Sequence, residues 1–187
     1  MCIRDSILTV LPSYAQNAVH YYFKTMDIRN GLSQNTVYQI LQDRKGFMWF
    51  GTKDGLNRYD GLSYRVYKKE NSGLGKNFIT ALYEDHEGNI WIGTDGGVFI
   101  YNPVLDSFTA FNQTSDKGTV IKDFVTMIGS DEYDNIWISV ENQGLFCYNH
   151  EKRLWNYLHD SGMSNVARFW LNESTCWLAL YADNLYY

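Results

Sequence analysis

The sequence has few prolines, few cysteines and no long apolar run. Only two of its 187 residues are Pro and three are Cys. The cysteines, Cys2, Cys147 and Cys176, form no closely spaced pair, so we expect free thiols rather than a disulfide framework or a zinc site. No stretch approaches the roughly 20 apolar residues that span a bilayer. The sequence therefore predicts no membrane-spanning helix within these 187 residues.

The chain also lacks a strong charge of either sign. Its net charge is −5 and no run of Lys or Arg occurs, whereas a nucleic-acid phosphate backbone requires a basic surface. We therefore expect no nucleic-acid partner. Aromatic residues, in contrast, are abundant at 17%, with fifteen Tyr and six Trp. Because flat rings pack well across a pleated sheet, this composition predicts an all-β protein.

A repeat is anchored on tryptophan. Its four anchors are 42, 46 and 40 residues apart, a period typical of propeller blades: Trp49, Trp91, Trp137 and Trp177. An Asp stands six residues before each of the first three anchors: Asp43, Asp85 and Asp131. A small residue stands two positions after each anchor: Gly51, Gly93, Ser139 and Ala179.

Alternating apolar residues and turn residues divide each copy of the repeat into four short strands. A four-stranded antiparallel meander is one propeller blade, so we predict a β-propeller of about four such blades. One blade cannot bury both of its faces alone, so it is stable only when similar blades flank it. The repeated residues therefore serve folding in the first place. We expect the Trp to fill the wedge between blades, the Asp to bond its own turn, and the hairpin Gly to take a positive φ.

The pattern predicts two regions. Residues 1–18 resemble a secretory leader, because an apolar segment at 7–16 contains Ser13 and Ala15 at the spacing of a cleavage site. Residues 1–6 carry one Arg and one Asp and make a poor basic start, as expected if the true beginning is missing or replaced by unrelated sequence. Residues 19–187 are predicted to form the propeller, with blades at 32–70, 74–112, 118–159 and 162–187, the last of them incomplete.

The ends of the chain bear on ring closure. Residues 19–26 resemble the fourth strand of a blade, and we predict that they close a ring by completing another blade. Because rings commonly have about 4–8 blades, we expect an incomplete, open part of a larger ring. A four-bladed ring closed by the N-terminal strand is the alternative.

The first two copies carry a family resemblance. They read GLSQNTVYQILQDRKGFMWFGTKDGLNRYDG and SGLGKNFITALYEDHEGNIWIGTDGGVFIYN, with the shared pattern D-x-x-G-x-x-W-x-G-T. This pattern resembles the two-component regulator propeller repeat. Later copies depart from it, since Asp134 replaces the turn Gly and Ser139 and Ala179 replace the strand Gly.

The resemblance implies an N-terminal fragment of the periplasmic sensor region of a hybrid two-component histidine kinase. In such receptors two seven-bladed propellers usually precede a β-sandwich, a membrane helix and a kinase core. The resemblance further implies export by the partial signal peptide, a homodimer in the full-length receptor, and membrane attachment only through later parts.

Catalysis is not expected of these residues. The D-x-x-G-x-x-W turn is also similar to the Asp box of sialidase-type propellers, so a propeller glycosidase or lyase is one alternative. Such an enzyme needs two facing carboxyls, whereas the repeated Asp residues belong to equivalent turns of different blades. No calcium-loop pattern occurs, and we predict no catalytic residue, no metal and no cofactor. A structural protein-interaction propeller is the second alternative.

A ligand site can be placed by topology alone. In a blade, the loop to the next blade and the hairpin between strands two and three open on the same face. Asn35, Asn77 and Asp123 stand at the entries to the inner strands, and Asp54, Asp95 and Asn142 stand on the hairpins. Amide and carboxylate groups suit sugar hydroxyls, so we predict an oligosaccharide ligand there. The alternative is that these side chains only cap turns.

Overall fold

Short strands joined by tight turns make up almost all of the computed structural model, which describes residues 23–149, 151–157, 166–172 and 175–180. The single helix among these residues is a short 3-10 turn at Ile28–Asn30. No helix in the described part of the chain is long and apolar enough to cross a membrane. The strands form four antiparallel sheets, each made of strands consecutive in sequence.

The sheets are numbered as blades in chain order. Blade 1 contains β1 (Val37–Gln42), β2 (Met48–Thr52), β3 (Gly55–Tyr59) and β4 (Tyr64–Tyr67). Blade 2 contains β5 (Ile79–Glu84), β6 (Ile90–Thr94), β7 (Gly97–Asn102) and β8 (Ser107–Ala110). Blade 3 contains β9 (Val125–Ser130), β10 (Ile136–Val140), β11 (Gly144–Tyr148) and β12 (Leu154–Asn156). Blade 4 is described as the hairpin of β13 (Val166–Asn172) and β14 (Thr175–Leu180).

This architecture confirms the prediction of an all-β propeller built from four-stranded meanders. Blades 1 to 3 have the predicted order, and their strands lie within the segments predicted at 32–70, 74–112 and 118–159. For the predicted fourth blade at 162–187, the described residues supply two strands. The predicted leader at 1–18 lies outside the described residues, as do residues 19–22. Residues 23–26 belong to no strand, so ring closure by the segment 19–26 stays a prediction.

The cores lie between blades, as predicted from the tryptophan period. Trp49 and Leu56 of blade 1 pack with Ile79, Ile92 and Tyr101 of blade 2. Trp49 is 1% exposed, and its ring lies 5.1 Å from the Tyr101 ring, centroid to centroid. A second cluster joins blades 2 and 3 in the same way, with Trp91 in the equivalent place. Blades 1 and 2 therefore each use the following blade to cover their indole.

The small residue after each Trp makes room for the next blade. A Cβ on Gly51 would lie 2.7 Å from Ile79 Cγ2, and one on Gly93 would lie 2.6 Å from Val125 Cγ1. In blade 3 the equivalent residue is Ser139, which has a Cβ. Its hydroxyl donates a hydrogen bond to the Val166 carbonyl of blade 4 over 2.6 Å. The strand Gly thus serves inter-blade contact, which is a separate role from that of the hairpin glycines. Those take positive φ, as predicted, with +123° at Gly55.

The fourth anchor differs in burial. Trp177 pairs with Trp170 across the β13–β14 hairpin, in the register that Trp49 has with Leu41. Trp177 is 66% exposed and Trp170 is 61% exposed. Among the described residues no further blade packs against these rings, which explains why the same sequence anchor is buried in blade 1 and exposed in blade 4.

Candidate functional site

The repeated Asp carboxylates occupy one face of the blades and are fully engaged there. Asp43 Oδ1 accepts hydrogen bonds from the backbone N–H groups of Lys45 and Phe47, at 3.0 and 2.9 Å. Its Oδ2 accepts one from the Trp49 indole at 2.7 Å. Asp85 has the same arrangement with Trp91 at 2.8 Å. The turn bonds confirm the prediction, whereas the bond to the indole was missed, although the constant six-residue spacing was its signal.

The third copy of this turn keeps its geometry without glycine. Asp134 replaces the turn Gly and takes φ 60°, the left-handed conformation found at Gly46 and Gly88. Asp131 accepts from the Trp137 indole at 2.8 Å. Partial burial would raise the pKa of Asp131, but hydrogen bonds from the side chains of Trp137 and Asn135 outweigh it and hold the pKa below its usual value. These turn carboxylates serve the fold and belong to separate blades.

The opposite face carries the predicted ligand-site residues. After strand two of each blade, a backbone N–H donates to the carbonyl just before the inner strand. The distances are 3.3 Å from Lys53 to Thr36, 3.3 Å from Asp95 to Phe78, and 2.8 Å from Glu141 to Phe124. These bonds hold each hairpin against the entry to its own inner strand. The two sets of predicted residues therefore lie on the same face of the blades.

One pair of predicted residues is in direct contact. Asn77 Nδ2 donates to Asp54 Oδ1 over 3.3 Å, across the boundary between blades 1 and 2. The other oxygen of Asp54 accepts from Lys68 Nζ at 2.5 Å. Asn77 Oδ1 accepts from the backbone N–H of Lys69 at 2.7 Å. The result is a small cluster of opposite charges and amide groups beside the inner strands.

The other predicted residues lie on this face without joining that cluster. Asn35 Oδ1 accepts from the Ile28 backbone N–H at 3.0 Å, so Asn35 holds its preceding loop as Asn77 does. Asp123 accepts from its neighbour Phe124 at 3.1 Å. Asp95 is exposed, and Asn142 is exposed with φ 60° in its hairpin. The oxygens of Asn35 and Asn77 thus perform the loop capping that the sequence left open as an alternative.

A row of aromatic rings follows the inner strands on the same face, and the sequence analysis missed it. The Tyr38 and Phe78 ring centroids are 4.7 Å apart, and those of Phe78 and Phe124 are 5.6 Å apart. Tyr38 is 46% exposed, while Phe78 and Phe124 are half-buried. The signal was present, because Phe78 and Phe124 directly follow the predicted Asn77 and Asp123. The row passes across three blades.

The Asp-turn face has clefts between blades that differ from one another. Between blades 1 and 2, Arg44 donates to the carbonyls of His86 and Asp85 over 2.6 and 2.8 Å. His86 occupies the equivalent position in blade 2, where a cleft of about 410 Å³ lies against blade 3, with Trp91 and Tyr148 in its lining. This cleft lies on the face opposite to the predicted site.

The blade edges hold a further charged contact. Arg65 Nη2 lies 2.7 Å from Asp106 Oδ2, which joins blade 1 to blade 2. Tyr101 donates to Asp106 Oδ1 at 2.8 Å. That hydrogen bond, with a further one from Arg65, lowers the pKa of Asp106 against a smaller opposing effect of burial. The contact stabilises the outer strands and lies away from the loop face.

No group of three His, Cys, Asp or Glu side chains that could hold a metal ion occurs within the described ranges. The turn carboxylates are occupied by their own turns and indoles, and they do not face one another across a cleft. The sequence predictions of no metal, no cofactor and no catalytic residue stay predictions.

Two segments of the chain match a known repeat family. The family model described as "Two component regulator propeller" matches residues 31–54 and 73–96. These segments include the inner strand, the Asp turn and the second strand of blades 1 and 2. These two segments are therefore similar to the two-component regulator propeller repeat, in agreement with the resemblance seen in the sequence.

The relatives are longer proteins. Over 54 residues the chain is 44% identical to Histidine kinase P4 of Formosa agariphila, a match covering 29% of this chain and 4% of that protein. The structure is similar to two extracellular domains from B. thetaiotaomicron. The first is the extracellular domain of a protein described as a hybrid two component system. It is 26% identical to this chain with a TM-score of 0.69, and the match covers 83% of this chain and 23% of that domain's chain. The second is the extracellular domain of a protein described as a one component system. It is 28% identical with a TM-score of 0.70, and the match covers 83% of this chain and 24% of that domain's chain.

Proposed function

We propose that the chain is part of the extracytoplasmic sensor region of a two-component receptor and is not itself an enzyme. The observation that carries this proposal is the run of propeller repeats in matching register, similar to extracellular domains of two-component proteins. The chain spans less than a quarter of the length of those relatives. Kinase activity, homodimerisation and membrane attachment would therefore belong to other parts of such a receptor.

The ligand is proposed to be an oligosaccharide bound on the loop face. Support comes from the cluster of Asp54, Asn77 and Lys68, which presents amide, carboxylate and ammonium groups beside the inner strands. Such groups exchange hydrogen bonds with hydroxyls as readily as with one another. The Asp54 side chain is 47% exposed, whereas Asp43 and Asp85 on the opposite face are only 9% and 7% exposed and bond to their turns and indoles.

Thermal denaturation of the purified chain with a broad panel of glycans tests this proposal. A ligand that binds only the folded state increases the free energy of unfolding by about 2.7 kcal/mol at 100 times its Kd, and the melting temperature rises accordingly. We expect at least one glycan class to raise it in a concentration-dependent way. The same mixtures are assayed for new reducing ends, since turnover would indicate an enzyme. An unchanged melting temperature across the whole panel would contradict the oligosaccharide assignment.

Export is a separate part of the proposal, since the predicted location is periplasmic. Residues 1–30 fused to a reporter that is active only outside the cytoplasm should give reporter activity, and replacing the apolar residues at 7–16 by Asp should abolish it. If the unaltered fusion gives no reporter activity, export by this leader is contradicted.

A further inference from the structure

The aromatic row of Tyr38, Phe78 and Phe124 lies where the proposed ligand would approach. Its rings come from the entries to three consecutive inner strands. The Tyr38 and Phe78 rings are 4.7 Å apart and tilted by 56°, and the Phe78 and Phe124 rings are 5.6 Å apart and meet edge to face at 83°. A large ring that is 46% exposed, as in Tyr38, gains little from burial, so inter-blade packing accounts for only part of this arrangement. The row forms an open surface rather than an enclosed cavity.

Tyr38 differs from its counterparts in the other blades. The equivalent residues are Thr80 and Thr126, the second residue of the inner strand in blades 2 and 3. Their hydroxyls donate to the carbonyls of Val125 and Val166 in the following blade, at 2.6 and 2.9 Å. Tyr38 instead places its ring against Phe78. Blade 1 thus has an exposed ring where blades 2 and 3 have an inter-blade hydrogen bond.

The charges around the row balance. Asp54 is paired with Lys68. The hairpins that approach the inner strands begin with Lys53 in blade 1 and with Asp95 and Glu141 in blades 2 and 3. Since no single sign dominates, the surface offers no electrostatic attraction to a sulfated or uronic acid chain. Aromatic faces beside amide and carboxylate groups suit a neutral ligand that has both C–H faces and hydroxyls.

We propose that Tyr38, Phe78 and Phe124 form an apolar platform for the C–H groups of a neutral oligosaccharide, with Asn77 and Asp54 contacting its hydroxyls. This proposal rests on the proposed function and specifies its ligand class and contact residues. Because the platform is open and extends over three blades, a longer chain can contact more of it. Affinity is therefore expected to rise from disaccharides to longer chains of the same sugar.

Calorimetric titration with neutral and anionic oligosaccharides of increasing length tests the platform. The informative variant is Tyr38→Thr, because Thr is the residue found at this position in blades 2 and 3 and can make their hydrogen bond. We expect it to keep the melting temperature of the unaltered chain and to bind the neutral oligosaccharide about tenfold more weakly, through loss of one aromatic contact. The matched control is Tyr133→Ala, which removes an aromatic side chain that is 70% exposed in the Asp turn of blade 3 and should leave binding unchanged.

A second variant, Phe78→Leu, keeps most of the half-buried volume and removes the central ring, and it should weaken binding by a similar factor. Neutral binding that neither variant weakens would overturn the platform while leaving oligosaccharide sensing in place. Binding of anionic glycans alone would overturn the neutral ligand class, again without loss of the sensing proposal. If no glycan of either kind binds, both proposals fail.

Discussion

The Asp85 carboxylate is expected to be a major source of stability in blade 2. Its Oδ1 accepts from the backbone N–H groups of Glu87 and Asn89, at 3.0 and 2.8 Å. Its Oδ2 accepts from the Trp91 indole at 2.8 Å and from the Asn89 side chain at 3.1 Å. Asp85 is 7% exposed and Trp91 is 4% exposed, so water cannot readily replace the carboxylate as the partner of the indole.

Replacement of Asp85 by Ala leaves that indole N–H without an acceptor. A buried unsatisfied donor costs about 1–3 kcal/mol, and each hydrogen bond to a charged group contributes about 1.5–3 kcal/mol. The turn N–H groups can bond to water after the change, so we expect a net loss of about 3 kcal/mol. For a chain of this size that corresponds to a fall in melting temperature of about 6–12 °C.

Asp85→Asn is expected to rescue little of this loss. If the amide oxygen faces the backbone N–H groups, the amide NH₂ faces the indole N–H, and two donors then oppose each other. Asp95→Ala is the control, since Asp95 is an exposed carboxylate in the same blade and its replacement should change stability by less than about 0.5 kcal/mol. Urea and thermal denaturation, followed by circular dichroism, measure these differences. An Asn variant as stable as the unaltered chain would refute the role given to the second carboxylate oxygen.

Three further predictions concern other blade contacts. Gly93→Ala places a Cβ 2.6 Å from Val125 Cγ1 and should cost about 1–3 kcal/mol in urea denaturation; a neutral result would mean that the blades can separate freely. Burial, with a smaller contribution from Asp131, raises the pKa of Cys147 to about 12, so iodoacetamide should modify this thiol only after unfolding, and rapid native labelling would contradict its burial. Because the folded pKa of Asp131 is lowered, its stabilising contribution is complete above the unfolded pKa and is lost as pH falls through the folded pKa. The loss of stability caused by Asp131→Asn should therefore be largest near neutral pH. Between about pH 5 and pH 2 the melting temperature of the variant should fall less than that of the unaltered chain, and an unchanged acid profile would refute this.

Turn chemistry made the positions of the candidate site residues partly predictable. Asn77 and Asp54 were identified from their places at a strand entry and on a hairpin, and the structure brings them into contact at 3.3 Å. The loop-capping role of Asn35 was left open, because whether an amide oxygen faces a ligand or the backbone N–H of Ile28 depends on how the preceding loop folds back. The contact between the Tyr38 and Phe78 rings was not predictable, because it requires the placement of one blade against the next.

The sequence by itself determined the blade. Strand alternation, the Asp turn and the hairpin Gly act over a few residues, and their chemistry is the same wherever the segment lies. Only the tertiary structure decided which faces meet, since contacts such as Gly93 with Val125 join residues that are distant in the chain. The same reason explains why Trp49 is buried and Trp177 is exposed: the anchor is local, but the blade that covers it is not.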